Sequence, residues 1–353
     1  MKQKRIQDYG IKIGRLPSGP RNKITDVAGV RVGHSTIREG KNRTGVTVIL
    51  PGPDNAFSLK YTAASYVHNG FGKSCGLVQI DELGTLETPI ALTNTLNTGL
   101  VWDALVQYVI DRCTADHVPV YSVNPVVGEC NDSQINDIQK RAVTAAHVQE
   151  ALMQTGEEFA EGDVGAGTGT VCYGLKGGIG SASRVFEICG QSYTIGVLVQ
   201  SNFGSLIDFT LNGIPAGEKI LAASKEGMPG PAPDKGSIMT ILATDLPVSC
   251  RQLKRIIRRT AVGIARTGAY TGHGSGEVMI GFTTQNRIPM NSGLISQTII
   301  PEGEINPAFQ AAAEAAAEAI LNSMVCADSA AGLKGEMYYS LAEFMPLFMA
   351  EGV

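Results

Sequence analysis

Short apolar runs alternate with longer amphipathic segments along the chain, and this pattern predicts both strands and helices. Compact runs rich in β-branched residues indicate buried strands, whereas apolar positions spaced at a helical period indicate helices with one buried face. The predicted strands cover 23–33, 44–50, 184–189, 193–200, 237–244 and 276–284. The predicted helices cover 96–112, 133–155, 249–267 and 306–324. The fold class predicted from the pattern is α/β or α+β.

The composition narrows the possible classes of function. The chain has 353 residues, of which 43% are hydrophobic and only 18% charged, so it can bury a large core and is long enough for one large domain or two ordinary ones; of these we predict one domain over residues 1–353. A formal net charge of −4 argues against a nucleic-acid partner. No apolar run approaches the ~18 residues of a membrane span, so no membrane partner is expected. The basic face of segment 249–267 is predicted to be solvated or to contact another subunit.

Cellular location and cofactors are predicted from the first residues of the sequence and from the cysteines. The first residues, MKQKRIQDYGIKIGRLPSG, lack the apolar centre of a secretory signal. The seven cysteines form no C-x-x-C pair. We therefore expect a cytoplasmic protein with reduced, buried cysteines, no metal site and no other cofactor.

Glycine is concentrated in residues 162–180, GDVGAGTGTVCYGLKGGIG. The spacing matches neither a dinucleotide fingerprint nor a phosphate-binding loop. Two interpretations stay open. The glycines allow close backbone packing at turns, or they let the backbone approach a substrate pocket.

The junction at Gly236 and Ser237 is the sharpest chemical feature of the sequence. Residues 224–236, SKEGMPGPAPDKG, contain three prolines and three glycines and predict an exposed, flexible segment, after which Ser237 begins an apolar strand. The plain interpretation is a loop that leads into a strand. The functional one is an N-terminal nucleophile: cleavage before Ser237 would free an α-amine with a pKa of ~7.7–8.0, which can act as general base for the neighbouring hydroxyl.

Four further residues could complete such a site. Asn202 follows an apolar strand and carries an amide that can donate to an oxyanion. Ser275 and Glu277 share one face if that segment is extended. Glu129 precedes the predicted helix 133–155. Each also has a structural alternative. Asn202 could belong to a plain turn, and Ser275 and Glu277 could form a turn at the start of a strand with a solvated glutamate. Glu129 could provide ordinary helix-start electrostatics.

Taken together, these segments resemble the self-processing L-aminopeptidase/D-esterase and β-peptidyl aminopeptidase family, and the resemblance covers nearly the whole chain. The motifs that carry it are ITDVAGVRVGHSTI, TGVTVILP, NPVVGECND, GDVGAGTGTVCYGLKGGIGSASR, GVLVQSNFG, KGS and GHGSGE. The resemblance implies a four-layer α/β/β/α sandwich, similar to other N-terminal-nucleophile (Ntn) hydrolases but with distinct connectivity. It also implies homo-oligomers, commonly tetramers of αβ units.

The resemblance also implies roles for the site residues. Cleavage of the Gly236–Ser237 bond would give an α-chain of residues 1–236 and a β-chain of residues 237–353. Ser237 would be the nucleophile and its own amine the base, with Asn202 in the oxyanion hole. Ser275 and Glu277 would hold and tune the amine and hydroxyl, and Glu129 would receive the ammonium group of a small peptide or amide substrate.

The expected activity is release of a small N-terminal residue, a β-amino acid or a small L- or D-amino acid, from peptides, amides or esters through an acyl-enzyme on Ser237. Some members of the family carry a site tyrosine near GECND, where this chain has Cys130 and Asn131, and the difference favours β-amino substrates over L-α-amino substrates. Two alternatives stay open. One is a self-processing acyltransferase of the ornithine acetyltransferase kind, which cuts before threonine, and the other is a non-catalytic binding protein on the same fold.

Overall fold

The computed structural model describes residues 3–230, 232–291 and 293–349. Pro231, in the middle of the segment predicted to be flexible, lies outside the described residues. The strands are β1 (Arg31–Glu39), β2 (Asn42–Leu50), β3 (Leu59–Gly70), β4 (Thr85–Leu86), β5 (Ile90–Asn94), β6 (Val126–Cys130), β7 (Val171–Cys172), β8 (Leu175–Lys176), β9 (Gly178–Ile188), β10 (Gln191–Asn202), β11 (Ser237–Thr244), β12 (Gly276–Pro289), β13 (Ala330–Ala331) and β14 (Met337–Tyr338).

The α-helices are α1 (Leu77–Leu83), α2 (Thr98–Ala115), α3 (Ala145–Met153), α4 (Ala216–Ala222), α5 (Cys250–Ile257), α6 (Thr260–Arg266), α7 (Asn306–Val325) and α8 (Pro346–Met349). Among the residues that the structure describes, none of these helices combines the length and the hydropathy needed to cross a bilayer.

Two sheets form the centre of the molecule. One has the strand order β1-β2-β5-β6 and the other the order β4-β3-β12-β11-β10-β9. Most neighbouring strands are antiparallel, but β5 and β6, and likewise β11 and β12, run parallel. Apolar side chains from both sheets, such as Leu92 and Val126 on one and Ile241 and Ile280 on the other, form a single cluster between them. Full burial of each such side chain stabilises the fold by about 1.5–3 kcal/mol.

Helices cover the outer faces of the two sheets. Helices α2 and α3 pack on the four-stranded sheet, whereas α5 and α7 pack on the six-stranded sheet. The predicted four-layer α/β/β/α sandwich is therefore confirmed. Because both sheets are covered on both faces, their strands read as nearly continuous apolar runs, which agrees with the low charged fraction of the chain.

Two of the predicted helices are wrong in extent. The segment 133–155 becomes helical only from Ala145, because the preceding residues form turns and a short 3₁₀ helix at Ile138–Lys140. The segment 249–267 is broken into α5 and α6, since α5 packs on the sheet and α6 packs on α7. A side chain at Gly263 would come within 2.5 Å of the Ala313 carbonyl oxygen, so this close helix pair requires glycine.

The prediction of buried cysteines is confirmed for four of the seven. Cys189 and Cys250 are exposed, and Cys75 is half-buried. Cys189 has a φ of 51° in the tight turn between β9 and β10, and this turn holds its side chain at the surface. The other four cysteines are buried, and all seven are free thiols.

Candidate active site

Ser237 is the first residue of β11 and lies where three strands meet. Across the antiparallel pair it faces Asn202, the last residue of β10, and across the parallel pair it lies beside Gly276 of β12. The side chain is buried, at 6% relative exposure. Since the parallel strands β11 and β12 begin at the same edge of the sheet, the topology brings Ser237 close to the turn that contains Ser275.

Gly236 is held tightly at this edge. Its carbonyl oxygen accepts a hydrogen bond of 3.0 Å from the N–H of Gly276. A β-carbon at Gly236 would lie 1.9 Å from the carbonyl oxygen of Asn202 and 2.4 Å from Cα of Phe203. Only glycine fits there, so the Gly236–Ser237 peptide bond is clamped between the end of β10 and the start of β12.

The side-chain amide of Asn202 has a defined orientation. Its Oδ1 accepts a hydrogen bond of 3.0 Å from the buried N–H of Val171. The amide NH₂ therefore remains as a donor, and Asn202 lines the same cavity as Ser237. The sequence placed Asn202 in a loop, but the residue belongs to β10, where strand pairing holds its backbone opposite Ser237.

Lys176, which the sequence analysis did not single out, supports this arrangement. Its side chain is fully buried, and Nζ donates to the carbonyl oxygens of Gly167, Thr170 and Gly177 at 3.0, 3.0 and 2.8 Å. Burial lowers the pKa of Lys176 to about 8. The three bonds tie together the glycine-rich loop that carries Val171. The available signal was a single lysine within the apolar, glycine-rich run CYGLKGG.

Ser275 and Glu277 interact directly, as their spacing predicted. The Ser275 hydroxyl donates to Oε1 of Glu277, and both side chains are fully buried. Oε2 of Glu277 has no hydrogen-bond partner among the described residues. Burial raises the pKa of Glu277 to about 7, although the Ser275 hydrogen bond opposes the shift and the Asp234 carboxylate adds to it. A solvated glutamate, the structural alternative, is therefore wrong.

The Ser275–Glu277 pair lies behind the nucleophile rather than on the cavity wall. In the register of β11 and β12, Glu277 is paired with Ile238, whereas Ser237 is paired with Gly276. Adjacent residues of a strand point to opposite faces of the sheet, so Glu277 and Ser237 lie on opposite faces. Neither Ser275 nor Glu277 lines the cavity, and the pair supports the sheet edge from the other side.

Glu129 reaches the cavity from the other sheet. It lies in β6 and not at the start of a helix, so the helix-start interpretation is wrong. The side chain is buried, at 3% relative exposure. Oε1 accepts a hydrogen bond of 2.8 Å from the N–H of Lys73, and Oε2 accepts one from the hydroxyl of Thr95. These bonds hold a carboxylate at the wall of the cavity while lone pairs of both oxygens remain for a cation.

One cavity of about 620 Å³ joins these features. Of the residues proposed from the sequence, the structure brings Glu129, Asn202, Gly236 and Ser237 together on its wall. Two further segments, neither of which the sequence predicted to line a cavity, also contribute to its wall. They are the end of the 224–236 segment and the β13–β14 hairpin, which contribute Pro229, Gly230, Ala232, Pro233, Lys235, Leu333, Lys334, Glu336 and Tyr338.

The arrangement contains the groups that amide hydrolysis at an amino terminus needs. A hydroxyl at Ser237 can attack a carbonyl carbon, and the oriented NH₂ of Asn202 can donate to the oxygen that becomes negative. The fixed carboxylate of Glu129 can bind an ammonium group. The fold and the site thus define the class of the protein, a hydrolase acting from the edge of a four-layer sandwich.

Comparison with known proteins identifies the family. Peptidase family S58 matches residues 22–338. The chain is 37% identical to β-peptidyl aminopeptidase BapA from Sphingosinicella microcystinivorans over 94% of this chain and 88% of that protein. The chain belongs to peptidase family S58, and the prediction of an aminopeptidase is confirmed.

Solved structures agree with this assignment. The PH0078 protein from Pyrococcus horikoshii OT3 has a TM-score of 0.92 and 44% identity, with 99% of both chains covered. The L-aminopeptidase D-Ala-esterase/amidase from Ochrobactrum anthropi has a TM-score of 0.90 and 34% identity, covering 98% of this chain and 97% of that one. That enzyme is described as a prototype for the serine aminopeptidases and as a new variant among the Ntn hydrolase fold. The predicted family resemblance is therefore confirmed.

Proposed function

We propose that this protein is a self-cleaving serine aminopeptidase in which Ser237 is the nucleophile. The observation that carries the proposal is the pairing of Ser237 with Asn202, whose amide NH₂ is oriented by the Val171 N–H, in one cavity with Glu129. The description of the Ochrobactrum anthropi enzyme as a serine aminopeptidase supports the same chemistry.

Processing begins in the precursor. The Ser237 hydroxyl attacks the carbonyl carbon of Gly236, the C–N bond breaks, and an ester links Gly236 to the Ser237 oxygen while the nitrogen becomes a free amine. Water then hydrolyses the ester, leaving a carboxylate at Gly236 and a free hydroxyl at Ser237. The products are the chains 1–236 and 237–353. We propose that the two chains together form a single domain.

Turnover uses the amine that processing creates. The Ser237 amine accepts the hydroxyl proton as Oγ attacks the substrate carbonyl, and the NH₂ of Asn202 stabilises the oxyanion. The proton then passes to the leaving amine, and an acyl-enzyme remains on Ser237. Water attacks this ester in the second half of the reaction and releases the acid. Ser275 and Glu277 hold and tune the amine from behind.

The proposed substrates carry a small N-terminal residue with a free ammonium group, which Glu129 binds. Similarity to a β-peptidyl aminopeptidase supports β-amino acids, and small L- or D-amino acids are the alternatives. Cys130 and Asn131 stand where some family members carry a tyrosine. The Cys130 thiol is buried and lies 3.5 Å from the carbonyl oxygen of Ser237. Neither Cys130 nor Asn131 supplies the hydroxyl that a tyrosine would.

The proposal is tested first on a denaturing gel and then with substrates. Wild type should separate into two fragments that end at Gly236 and begin at Ser237, and Ser237→Ala should stay intact. Processed wild type should hydrolyse p-nitroanilides of β-alanine, glycine, L-alanine or D-alanine, and comparing the four defines the preferred residue. A wild type that stays uncut and inactive contradicts the proposal.

The assembly and location are also proposals. We propose a cytoplasmic homo-oligomer, a tetramer of αβ units, without a nucleic-acid or membrane partner. Light scattering coupled to gel filtration measures the mass of the processed protein. A mass equal to one αβ unit across the working concentration range contradicts the tetramer.

A further inference from the structure

The segment that precedes the proposed cleavage point is anchored at Asp234. The pattern of prolines and glycines predicted an exposed and flexible stretch, but the Asp234 side chain is only 5% exposed. Oδ1 accepts a hydrogen bond of 2.9 Å from the N–H of Gly204, and Oδ2 accepts one of 3.2 Å from the N–H of Gly272. At Asp234 the predicted exposure is therefore wrong.

The two donors flank the nucleophile from opposite sides. Gly204 lies two residues beyond the end of β10, and Gly272 lies four residues before the start of β12. A single carboxylate thus ties together the loops of the two strands between which Ser237 is paired. Gly204 has a φ of 88°, and a β-carbon there would lie 2.4 Å from Tyr173, so this contact depends on glycine.

Asp234 is close in sequence to the proposed cleavage point. It lies two residues before Gly236, whose carbonyl carbon must meet the Ser237 hydroxyl for cleavage. A free proline- and glycine-rich segment would sample many conformations, and holding two reacting groups in one geometry can accelerate a reaction by orders of magnitude. Hydrogen bonds to a carboxylate are among the stronger ones, so Asp234 is a suitable anchor.

We infer that Asp234 is a positioning residue for self-cleavage, needed to present the Gly236 carbonyl to Ser237 and dispensable for later turnover. The inference rests on the proposed self-processing. After cleavage Asp234 belongs to the free end of the 1–236 chain, so the reaction of Ser237 with an external substrate no longer requires the anchor.

The test compares cleavage and turnover in Asp234→Asn. This variant is isosteric but loses the charge and one of the two acceptors. Glu226→Gln is the matched control, because Glu226 is an exposed acid in the same segment. Freshly synthesised chains are sampled over time on denaturing gels, and peptidase activity is divided by the amount of cleaved chain. We expect Asp234→Asn to slow cleavage about tenfold to hundredfold, with Glu226→Gln unchanged.

Turnover separates the positioning role from other roles. Once cleaved, Asp234→Asn should match wild type within about twofold in kcat and KM. Cleavage at the wild-type rate overturns the inference, as does a loss of activity in the cleaved variant. A general folding role is checked in the uncut Ser237→Ala background, where adding Asp234→Asn should leave the melting transition cooperative. Loss of a cooperative melting transition in that double variant also overturns the inference. A wild type that never cleaves refutes the proposed function instead.

Discussion

Replacement of Asn202 tests the chemistry of the site most directly. Asn202→Asp keeps an oxygen in the place of Oδ1, so the N–H of Val171 retains its acceptor, but the NH₂ donor is lost. Asn202→Ala removes both. The pair of variants therefore separates the loss of the donor from the loss of the buried hydrogen bond.

The magnitudes follow from these two contacts. Removal of one oxyanion donor typically lowers kcat by about 10²–10³, or about 2.7–4 kcal/mol of transition-state stabilisation. A buried N–H left without an acceptor costs about 1–3 kcal/mol of folding free energy. We therefore expect both variants to lose kcat, with Asn202→Asp at least as impaired as Asn202→Ala because its carboxylate opposes the developing negative charge. Asn202→Ala should be the less stable of the two.

The assay uses both reactions that pass through an oxyanion at Ser237. Self-cleavage is followed on denaturing gels, and hydrolysis of β-alanine p-nitroanilide is measured per cleaved chain. Thermal or urea unfolding in the Ser237→Ala background measures the stability difference without cleavage. The assignment of Asn202 to the oxyanion hole fails if the self-cleavage rate and the kcat of Asn202→Asp both stay within about threefold of wild type. It also fails if the loss of peptidase activity is due entirely to a higher KM.

Three further predictions concern other parts of the site. Glu129→Gln should raise KM about tenfold to hundredfold for substrates with a free amine while changing kcat less, because it removes the charge that binds ammonium; steady-state kinetics measures this, and an unchanged KM contradicts it. Gly236→Ala should block self-cleavage on gels, since its β-carbon would overlap the backbone at the end of β10, whereas Gly230→Ala, with open space around it, should cleave normally. Glu277 has a folded-state pKa of about 7 against an ordinary 4.5, so the folded state binds the extra proton and stability should fall as pH rises from about 4.5 to 7. In the uncut Ser237→Ala background, Glu277→Gln should remove up to roughly 3 kcal/mol of this pH-dependent loss of unfolding free energy. Some pH dependence should remain, because the pKa of Asp132 is also raised to about 7. A pH dependence equal to that of the parent would count against a buried, protonated Glu277.

Features encoded by neighbouring residues could be predicted from the sequence. The apolar run 237–244 gave the bounds of β11 without error, because a short β-branched run preceded by proline and glycine has few other conformations. The i, i+2 spacing of Ser275 and Glu277 predicted that they share a face, and the hydroxyl does donate to the carboxylate. Motifs spread along the chain indicated the family, and the resemblance to that family implied the four-layer fold.

The tertiary structure decided whatever depends on residues far apart in the chain. The local sequence places Glu129 before a predicted helix, and its role at the substrate ammonium group came only from the family resemblance. The stacking of the two sheets is what brings it into the cavity with Ser237. The composition around Asp234 predicted a mobile stretch, yet backbone N–H groups from two distant loops bury its carboxylate. The buried Lys176 satisfies three carbonyl groups of a loop. Local patterns report conformational preference and burial, but the pairing of a polar side chain with its partner is set by long-range packing, which one sequence does not encode in any local spacing.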